Sequence, residues 1–307
     1  MADFWKGKKV LITGGSGLIG TPMMEKLQGE GAIPFNFDLE TGCDILDYSQ
    51  LQTRMHGNDV VIHLAALSHV EEARLAESWC WEINVQGTWM VLQACLSVGV
   101  KSVVTASSNH VYGEQPKKPW PDAPGGGTEE DSPLNQLDTY SATKIAADYC
   151  ARSYAHNYNL PVAIVRNTNC YGPDDPHEDH IIPGSILSIL KKEPVVIRSL
   201  GLTNKGYLYV DDVVDAYLLV AEKMYLEEIL PGEVFNVSDK NYDAITITKV
   251  LGEIMGGAVI NILGEPNDQH DENLDSSKIR ALGWDPKYTL VEGLKKTIEG
   301  FRERMLV

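Results

Sequence analysis

Short, wholly apolar runs separated by helix-length segments dominate the first half of the chain. KVLIT at 9–13, AIPFNF at 32–37, VVIHLAA at 60–66, SVVTAS at 102–107 and PVAIV at 161–165 each read as a strand. A helical stretch runs from Ile19 to about Gln28, and further helix-length segments lie at 83–98 and 141–157. Strands that are apolar throughout, rather than on alternate positions, are covered on both faces. That is the pattern of a parallel sheet between two layers of helices. The order predicts a doubly wound α/β fold with right-handed crossovers.

The strict alternation fades after Tyr171. Residues 1–171 are therefore expected to form one domain, with 207–238 returning to it through a helix at 211–224 and a strand at 233–237. Residues 172–206 and 239–307 are expected to build a smaller C-terminal lobe. The stretch 114–135 (EQPKKPWPDAPGGGTEEDSPLN) is rich in Pro, Gly and acid and reads as an ordered loop inside one domain.

Composition narrows the partners. The chain has 307 residues, 43% of them hydrophobic and 22% charged, enough apolar material for a large core. Its formal net charge of −17 disfavours nucleic acid as a partner. Five cysteines (43, 80, 95, 150, 170) make an odd number without a C-x-x-C pair, so neither a disulfide framework nor a zinc site is indicated. The segment MADFWKGKKV lacks the apolar core of a signal peptide, and there is no run of about 20 apolar residues to span a bilayer. A soluble, reducing, cytoplasmic setting without a membrane partner is expected.

The first chemical motif is Thr13-Gly14-Gly15-Ser16-Gly17-Leu18-Ile19-Gly20, between a strand and a helix. Glycine permits the tight turn and lets the backbone approach a pyrophosphate, while the helix start offers N–H donors and a positive dipole end. Asp38, at the end of the second strand, can accept both ribose hydroxyls of an adenosine and would repel a 2′-phosphate. Leu39, Glu40 and Thr41 bring no cation to offset that repulsion, so NAD is expected rather than NADP.

The second motif is Tyr140-x-x-x-Lys144, two side chains on one face of a helix. A tyrosine with an ordinary pKa of about 10 is a poor base at neutral pH. A neighbouring ammonium and an oxidised nicotinamide would both favour its phenolate. Such a tyrosine can take a proton from a sugar hydroxyl as hydride leaves the same carbon. Ser108, just beyond the fourth strand, is placed to orient the substrate. His110 follows it and is read as a core histidine. His177 and His180 in PDDPHEDH match no strong zinc spacing and read as a solvated substrate loop, so no metal is expected. Trp79 and Trp81 are expected to pack a helix.

With these residues in view, the chain resembles the extended short-chain dehydrogenase/reductase family of nucleotide-sugar epimerases and dehydratases, along nearly its whole length. TGGSGLIG resembles the family's glycine motif, giving Gly14, Gly17, Leu18, Ile19 and Gly20 as cofactor contacts. Asp38 stands for its ribose-binding acid, Asp44-Ile45 for its adenine contact, Leu64-Ala65-Ala66 for the segment beneath the cofactor and Asn84 for a further cofactor-side position. SSNHVYG and YSATK supply Ser108, Tyr140 and Lys144 as the catalytic set, with Tyr140 and Lys144 also touching the cofactor. Arg166-Asn167-Thr168-Asn169 resembles the R-x-x-N run whose Asn meets the substrate diphosphate, and LGWDPKYTLVEGL resembles the closing motif. The resemblance implies a Rossmann-type domain holding NAD, a lobe closing over a nucleotide-diphosphate sugar, and a homodimer formed through helices 84–98 and 141–157.

The reaction rests on departures from that pattern. Family 4,6-dehydratases carry Asp-Glu directly after the catalytic Ser/Thr, where this chain has Asn109-His110. An amide cannot exchange a proton at neutral pH, so elimination is disfavoured and 4-epimerisation of a UDP- or CDP-hexose is expected. Residues 181–199 nevertheless resemble CDP-glucose 4,6-dehydratases, and SSNH resembles uronate dehydrogenases, so both remain alternatives. A non-catalytic NAD-binding sensor or scaffold is a further one, at odds with the intact Tyr140 and Lys144. Lys205, where many relatives carry Arg-Asp, keeps a charge but loses bidentate phosphate geometry. With Ser108, Asn109, His110 and Asn169 it completes the expected substrate contacts. NDQHDEN at 267–273 lacks an arginine often found there.

Overall fold

The computed structural model describes residues 4–115, 127–265 and 270–305. In chain order the first half runs β1 (Lys9–Thr13), α1 (Gly20–Gly29), β2 (Ile33–Phe37), α2 (Tyr48–Met55), β3 (Val60–His63), α3 (Val70–Leu75), α4 (Glu77–Trp81), α5 (Thr88–Val98), β4 (Ser102–Ala106), α6 (Thr139–Tyr158) and β5 (Val162–Asn167). The second half continues with β6 (Asn169–Tyr171), α7 (Ile181–Leu190), β7 (Val195–Ile197), β8 (Lys205–Tyr209), α8 (Val210–Tyr225), β9 (Val234–Val237), β10 (Asn241–Tyr242), α9 (Ala244–Met255), β11 (Ile260–Ile262), α10 (Ser277–Ala281) and α11 (Leu290–Met305). Among the described residues no helix is long and apolar enough to cross a membrane.

Six parallel strands form the central sheet in the order β2-β1-β3-β4-β5-β9, so the expected doubly wound, Rossmann-like sheet is present. Odd and even strand positions face opposite helical layers, which is why the strands read as continuous apolar runs. Val10, Ile12, Val60 and Ile62 pack with Val213, Tyr217 and Val220 of α8. Leu11, Val61, Val103 and Ile164 face Leu51, Val91, Leu92 and Ala151 on α2, α5 and α6. A third cluster, with Tyr171, Ile186, Tyr209, Leu251, Leu294 and Phe301, holds the elements after β5 together. There β6, β8 and β10 form a separate three-stranded sheet, and β7 pairs with β11.

Two elements differ from the sequence reading. The strand expected over 60–66 stops at His63, because its neighbour β1 ends opposite it at Thr13, where the glycine turn begins. Residues 64–66 continue as connection. The helix expected over 83–98 opens with a widened π turn at 82–87 before α5. That turn carries the buried Asn84 and brings Gly87 against Ile45, where even a methyl group would lie 2.5 Å from Ile45 Cδ1.

A buried ion pair ties the sheet to its helices. Arg166 on β5 and Asp148 on α6 are fully buried and meet through two bonds of 2.8 and 2.9 Å. Arg166 also donates to Tyr112 Oη and to the Glu130 carbonyl, at 2.7 and 2.9 Å. Residues 127–135 of the expected loop are thereby held to the core. Residues 116–126 of that loop lie outside the described residues. The closing motif clasps the start of α8, with the Trp284 indole donating to the Asp212 carbonyl and the backbone of Lys287 and Tyr288 donating to its carboxylate.

Candidate functional site

The register of the sheet gathers the first half of the site. Thr13 lies beside both Phe37 and His63, so β1, β2 and β3 end level. The glycine loop, Asp38 and Leu64–Ala66 therefore share the carboxyl edge of the sheet, where doubly wound folds bind ligands. Gly14 has φ +74°, and a side chain on it would press within 2.7 Å of the Ala65 nitrogen. At Gly20 a Cβ would fall 2.3 Å from the Gly14 carbonyl oxygen. Gly17 differs: its Cβ would meet nothing nearer than 3.4 Å, so its bare face opens onto the space in front of the loop. Leu18 and Ile19 lead from it into α1, whose N-terminus carries no side-chain cap. An uncapped helix start behind an open glycine suits a pyrophosphate.

Asp38 is half-buried and reaches back to the loop, accepting from the Ser16 N–H at 3.2 Å and the Glu40 N–H at 3.0 Å. Its carboxylate is thus fixed beside the phosphate cradle, where an adenosine ribose would lie. Asp44 accepts from the Leu46 N–H at 2.9 Å and leads into Ile45, wedged against Gly87. These residues fit an NAD adenosine half.

Beneath this edge, His63 bridges Thr13 Oγ1 at 2.7 Å and Thr88 Oγ1 at 2.9 Å. The Thr88 hydroxyl donates to the Asn84 carbonyl, so it accepts from His63 Nε2–H, and Nδ1 accepts from Thr13. Burial, helped by the charge of Lys144, holds this imidazole down at about 3. Asn84 is not an open cofactor contact. It is 1% exposed, and its amide bonds both Leu67 backbone atoms and Thr143 Oγ1. It fixes the connection after Ala66 and acts on the site through that brace.

The second half of the site rests on β4 and α6. The Asp138 carboxylate caps α6 by accepting the Ser141 N–H at 3.0 Å, which sets Tyr140 in the first helical turn. The positive end of the helix dipole favours an anion there. One turn on, Lys144 Nζ donates to the Ala106 carbonyl at 2.6 Å, and the chain leaving β4 brings Ser108, whose Oγ accepts the His110 N–H at 3.1 Å, beside Tyr140. All three side chains are buried. Burial lowers Lys144 to about 8 against the opposing charge of Asp148, four residues along the same helix. Burial pushes the Tyr140 phenol up to about 12, with the Ser108 hydrogen bond as counterweight. The Lys144 ammonium is drawn to Ala106, and desolvation dominates the phenol.

Opposite the tyrosine, the His110 ring stands 6.0 Å away, edge to face. Asn109 is buried, and its amide donates to Glu272, whose other oxygen is 3.2 Å from Lys205 Nζ. Burial alone would raise the Glu272 carboxyl, but His110 and Lys205 more than offset it and hold it below the ordinary range. Burial keeps His110 below the usual imidazole value, with Glu272 pulling the other way. Lys205 is therefore already ion-paired, and Asn169 donates to the Gly206 carbonyl at 3.0 Å. Sequence reasoning found every member of this group except Glu272. It was sensitive to a missing arginine in NDQHDEN and not to the carboxylate present there. Of that segment, 267–269 lie outside the described residues.

On the outer side of α4 and α5 the reading of the tryptophans is reversed. Trp79 and Trp81 are 50% and 41% exposed, while Cys80 between them is buried against Tyr140. A helix of five residues has one inward face here, and Cys80 occupies it. Trp81 and Trp89 flank a groove of about 370 Å³ that Glu82, Val85 and Gln86 complete.

The fold that carries this site is shared with known proteins. The NAD dependent epimerase/dehydratase family matches residues 10–238. The chain belongs to this family. The human dTDP-D-glucose 4,6-dehydratase is 28% identical over 96% of this chain and 90% of its own. The UDP-glucose 4-epimerase of Thermotoga maritima superposes with a TM-score of 0.85 at 28% identity, over 97% of this chain and 99% of that one. The dTDP-glucose 4,6-dehydratase of Streptomyces venezuelae, crystallised with NAD, gives 0.86 at 27% identity, over 96% and 97%. The cofactor of this family is NAD, and its members are enzymes.

Proposed function

We propose that the protein is an NAD-dependent nucleotide-sugar 4-epimerase acting on a UDP- or CDP-hexose. The observation that carries the reading is the Ser108–Tyr140–Lys144 centre followed by an amide, Asn109, bonded away to Glu272. Bound NAD would supply a reversible hydride acceptor, held by Gly14, Gly17, Gly20, Asp38 and the Leu64–Ala66 segment. As phenolate, which the charge of bound oxidised NAD and of Lys144 would favour against the upward push of burial, Tyr140 takes the proton of the sugar C4 hydroxyl as that carbon is oxidised, and returns it after the 4-keto sugar has turned its other face. Ser108 orients the hydroxyl. Lys144, anchored on Ala106, fixes the geometry and brings positive charge near the reacting oxygen. Asn109 exchanges no proton, so the position after Ser108 supplies no acid for loss of water. Lys205 and Asn169 are assigned to the diphosphate, which would have to draw Lys205 from Glu272 and meet the amide N–H of Asn169 that Gly206 leaves free.

One observation favours a second reading, a 4,6-dehydratase. Glu272 puts a carboxylate beside Asn109 and His110, and several of the similar proteins are dehydratases. Proton NMR of a UDP- or CDP-hexose incubated with the enzyme, without added reductant, separates the readings. A C4 epimer without net NADH supports the proposal. A 4-keto-6-deoxy product replaces it with elimination. Steady NADH release with a free uronic acid replaces it with a uronate dehydrogenase, and no turnover of any candidate leaves an NAD-binding scaffold.

We further propose a homodimer through the outer faces of α5 and α6. Trp89 on α5, Tyr149 and Tyr158 on α6, and Trp81 at the end of the neighbouring α4 are all more than 40% exposed. Such aromatic surface is the kind that self-complementary two-fold interfaces bury. Light scattering at micromolar concentration should give twice the chain mass, and a monomer would refute it.

A further inference from the structure

The chain brings three histidines and two aspartates together from two distant segments. His69 ends the connection after β3 and precedes α3, while Asp175, His177, Asp179 and His180 lie in the loop before α7. His69 Nε2 is 3.0 Å from Asp179 Oδ2. His69, Asp179 and His180 each offer a ligand atom within 4.8 Å of the others. The His177 ring stands 5.1 Å from that of His69 and 4.8 Å from that of His180. His69 and His180 occupy helix N-cap positions, yet neither side chain caps its helix, so both imidazoles remain available.

We propose that His69, Asp179 and His180 form a binding site for one zinc-class divalent transition-metal ion. Zinc takes nitrogen and carboxylate ligands at about 2.0–2.1 Å in tetrahedral array, which sets neighbouring ligand atoms roughly 3.3 Å apart. The His69–Asp179 separation is close to that. Two imidazoles and one carboxylate leave a fourth position for water or for His177. The outer shell is already built. Asp175 is 2% exposed, and its Oδ2 is 3.3 Å from His180 Nδ1, which directs Nε2 away toward a metal. Its other oxygen accepts the His177 N–H at 3.0 Å and fixes the loop. A carboxylate holding the far nitrogen of a ligating histidine is a recurrent feature of metal sites. Imidazole donors select zinc, cobalt, nickel or copper over magnesium and calcium, which prefer all-oxygen sites. The ion would join the connection after β3, which Asn84 braces, to the start of α7, and so clamp the cofactor edge to the elements after β5.

The test uses the full chain without a histidine tag, stripped with a chelator, dialysed and titrated with Zn²⁺ by calorimetry. Co²⁺ serves as a spectroscopic probe, since four-coordinate cobalt absorbs visible light intensely. One equivalent per chain is expected, with the cobalt bands appearing at the same stoichiometry and excess Mg²⁺ failing to displace either ion. His69→Ala and His180→Ala should each weaken binding by more than the roughly 10–100-fold that loss of an outer-shell partner costs. Asp179→Asn should also weaken it, as a conservative change in an exposed residue. The exposed pair His56→Ala/His156→Ala, elsewhere on the surface, should leave it unchanged. Absence of stoichiometric binding to the unmodified chain, displacement by Mg²⁺, or unchanged affinity in His69→Ala and His180→Ala would overturn the proposal.

Discussion

Replacing Asp148 by asparagine tests whether the buried pair behind the site acts on both stability and chemistry. Asp148 and Arg166 have no exposed side-chain surface, and Asp148 supplies both acceptors for two of the guanidinium N–H groups. The amide side chain of Asp148→Asn would keep the shape but lose the charge and one acceptor, leaving Arg166 charged and buried. Breaking such a pair from one side costs about 3–5 kcal/mol. At about 2 °C or a little more per kcal/mol for a chain of this size, the melting temperature should fall by roughly 6–15 °C. A functional effect follows from position. Asp148 is the main group holding the Lys144 ammonium up against burial, which has already brought it to about 8. Without that charge Lys144 loses its proton at lower pH. If the ammonium is the active form, the alkaline limb of kcat/KM moves to lower pH. Urea unfolding, thermal melting and a pH–rate profile measure the three quantities. Removing both partners with well-packed apolar residues should cost less than the single change, since no charge is then stranded. A stability loss below about 1 kcal/mol, or an alkaline limb that stays in place while stability falls, would refute the corresponding half of this reasoning.

Other consequences are equally direct. Tyr140→Phe should retain NAD binding and lose roughly 10²–10⁴-fold in turnover, with Lys144→Ala in a similar range and Ser108→Ala costing less; steady-state kinetics with a cofactor titration checks this. NAD should bind more tightly than NADP by calorimetry, and Asp38→Ala should narrow the difference, because the fixed carboxylate beside Ser16 repels a 2′-phosphate. His63 is held neutral down to about 3, whereas an unfolded histidine takes a proton near 6.5, so the unfolded state binds more protons between those values. Stability attributable to His63 is then full above about 6.5 and falls by roughly 1.4 kcal/mol per pH unit as the pH drops toward 3. Urea unfolding across that window should show the slope, and His63→Gln should flatten it.

What the sequence determined by itself was whatever local pattern encodes. Runs such as KVLIT and VVIHL announce strands buried on both faces, because a strand's two-residue period needs no knowledge of its neighbours. TGGSGLIG, Asp38 and the Tyr140–Lys144 spacing are likewise local: a turn, a strand end and one helical step. What only the tertiary structure decided were meetings between segments whose approach no local period encodes. Glu272 reaches Asn109 across 163 positions and turns the expected diphosphate cation, Lys205, into one half of an ion pair. Asn84 sits where a cofactor contact was expected, yet its amide closes on Leu67 and Thr143. His177 and His180 carry no zinc spacing alone, and His69 joins them only because the connection after β3 folds against the loop before α7. Burial, too, is a property of the packed chain. It raised the phenol of Tyr140 and lowered the ammonium of Lys144 together, because desolvation acts on each group according to its surroundings and not its place in a motif.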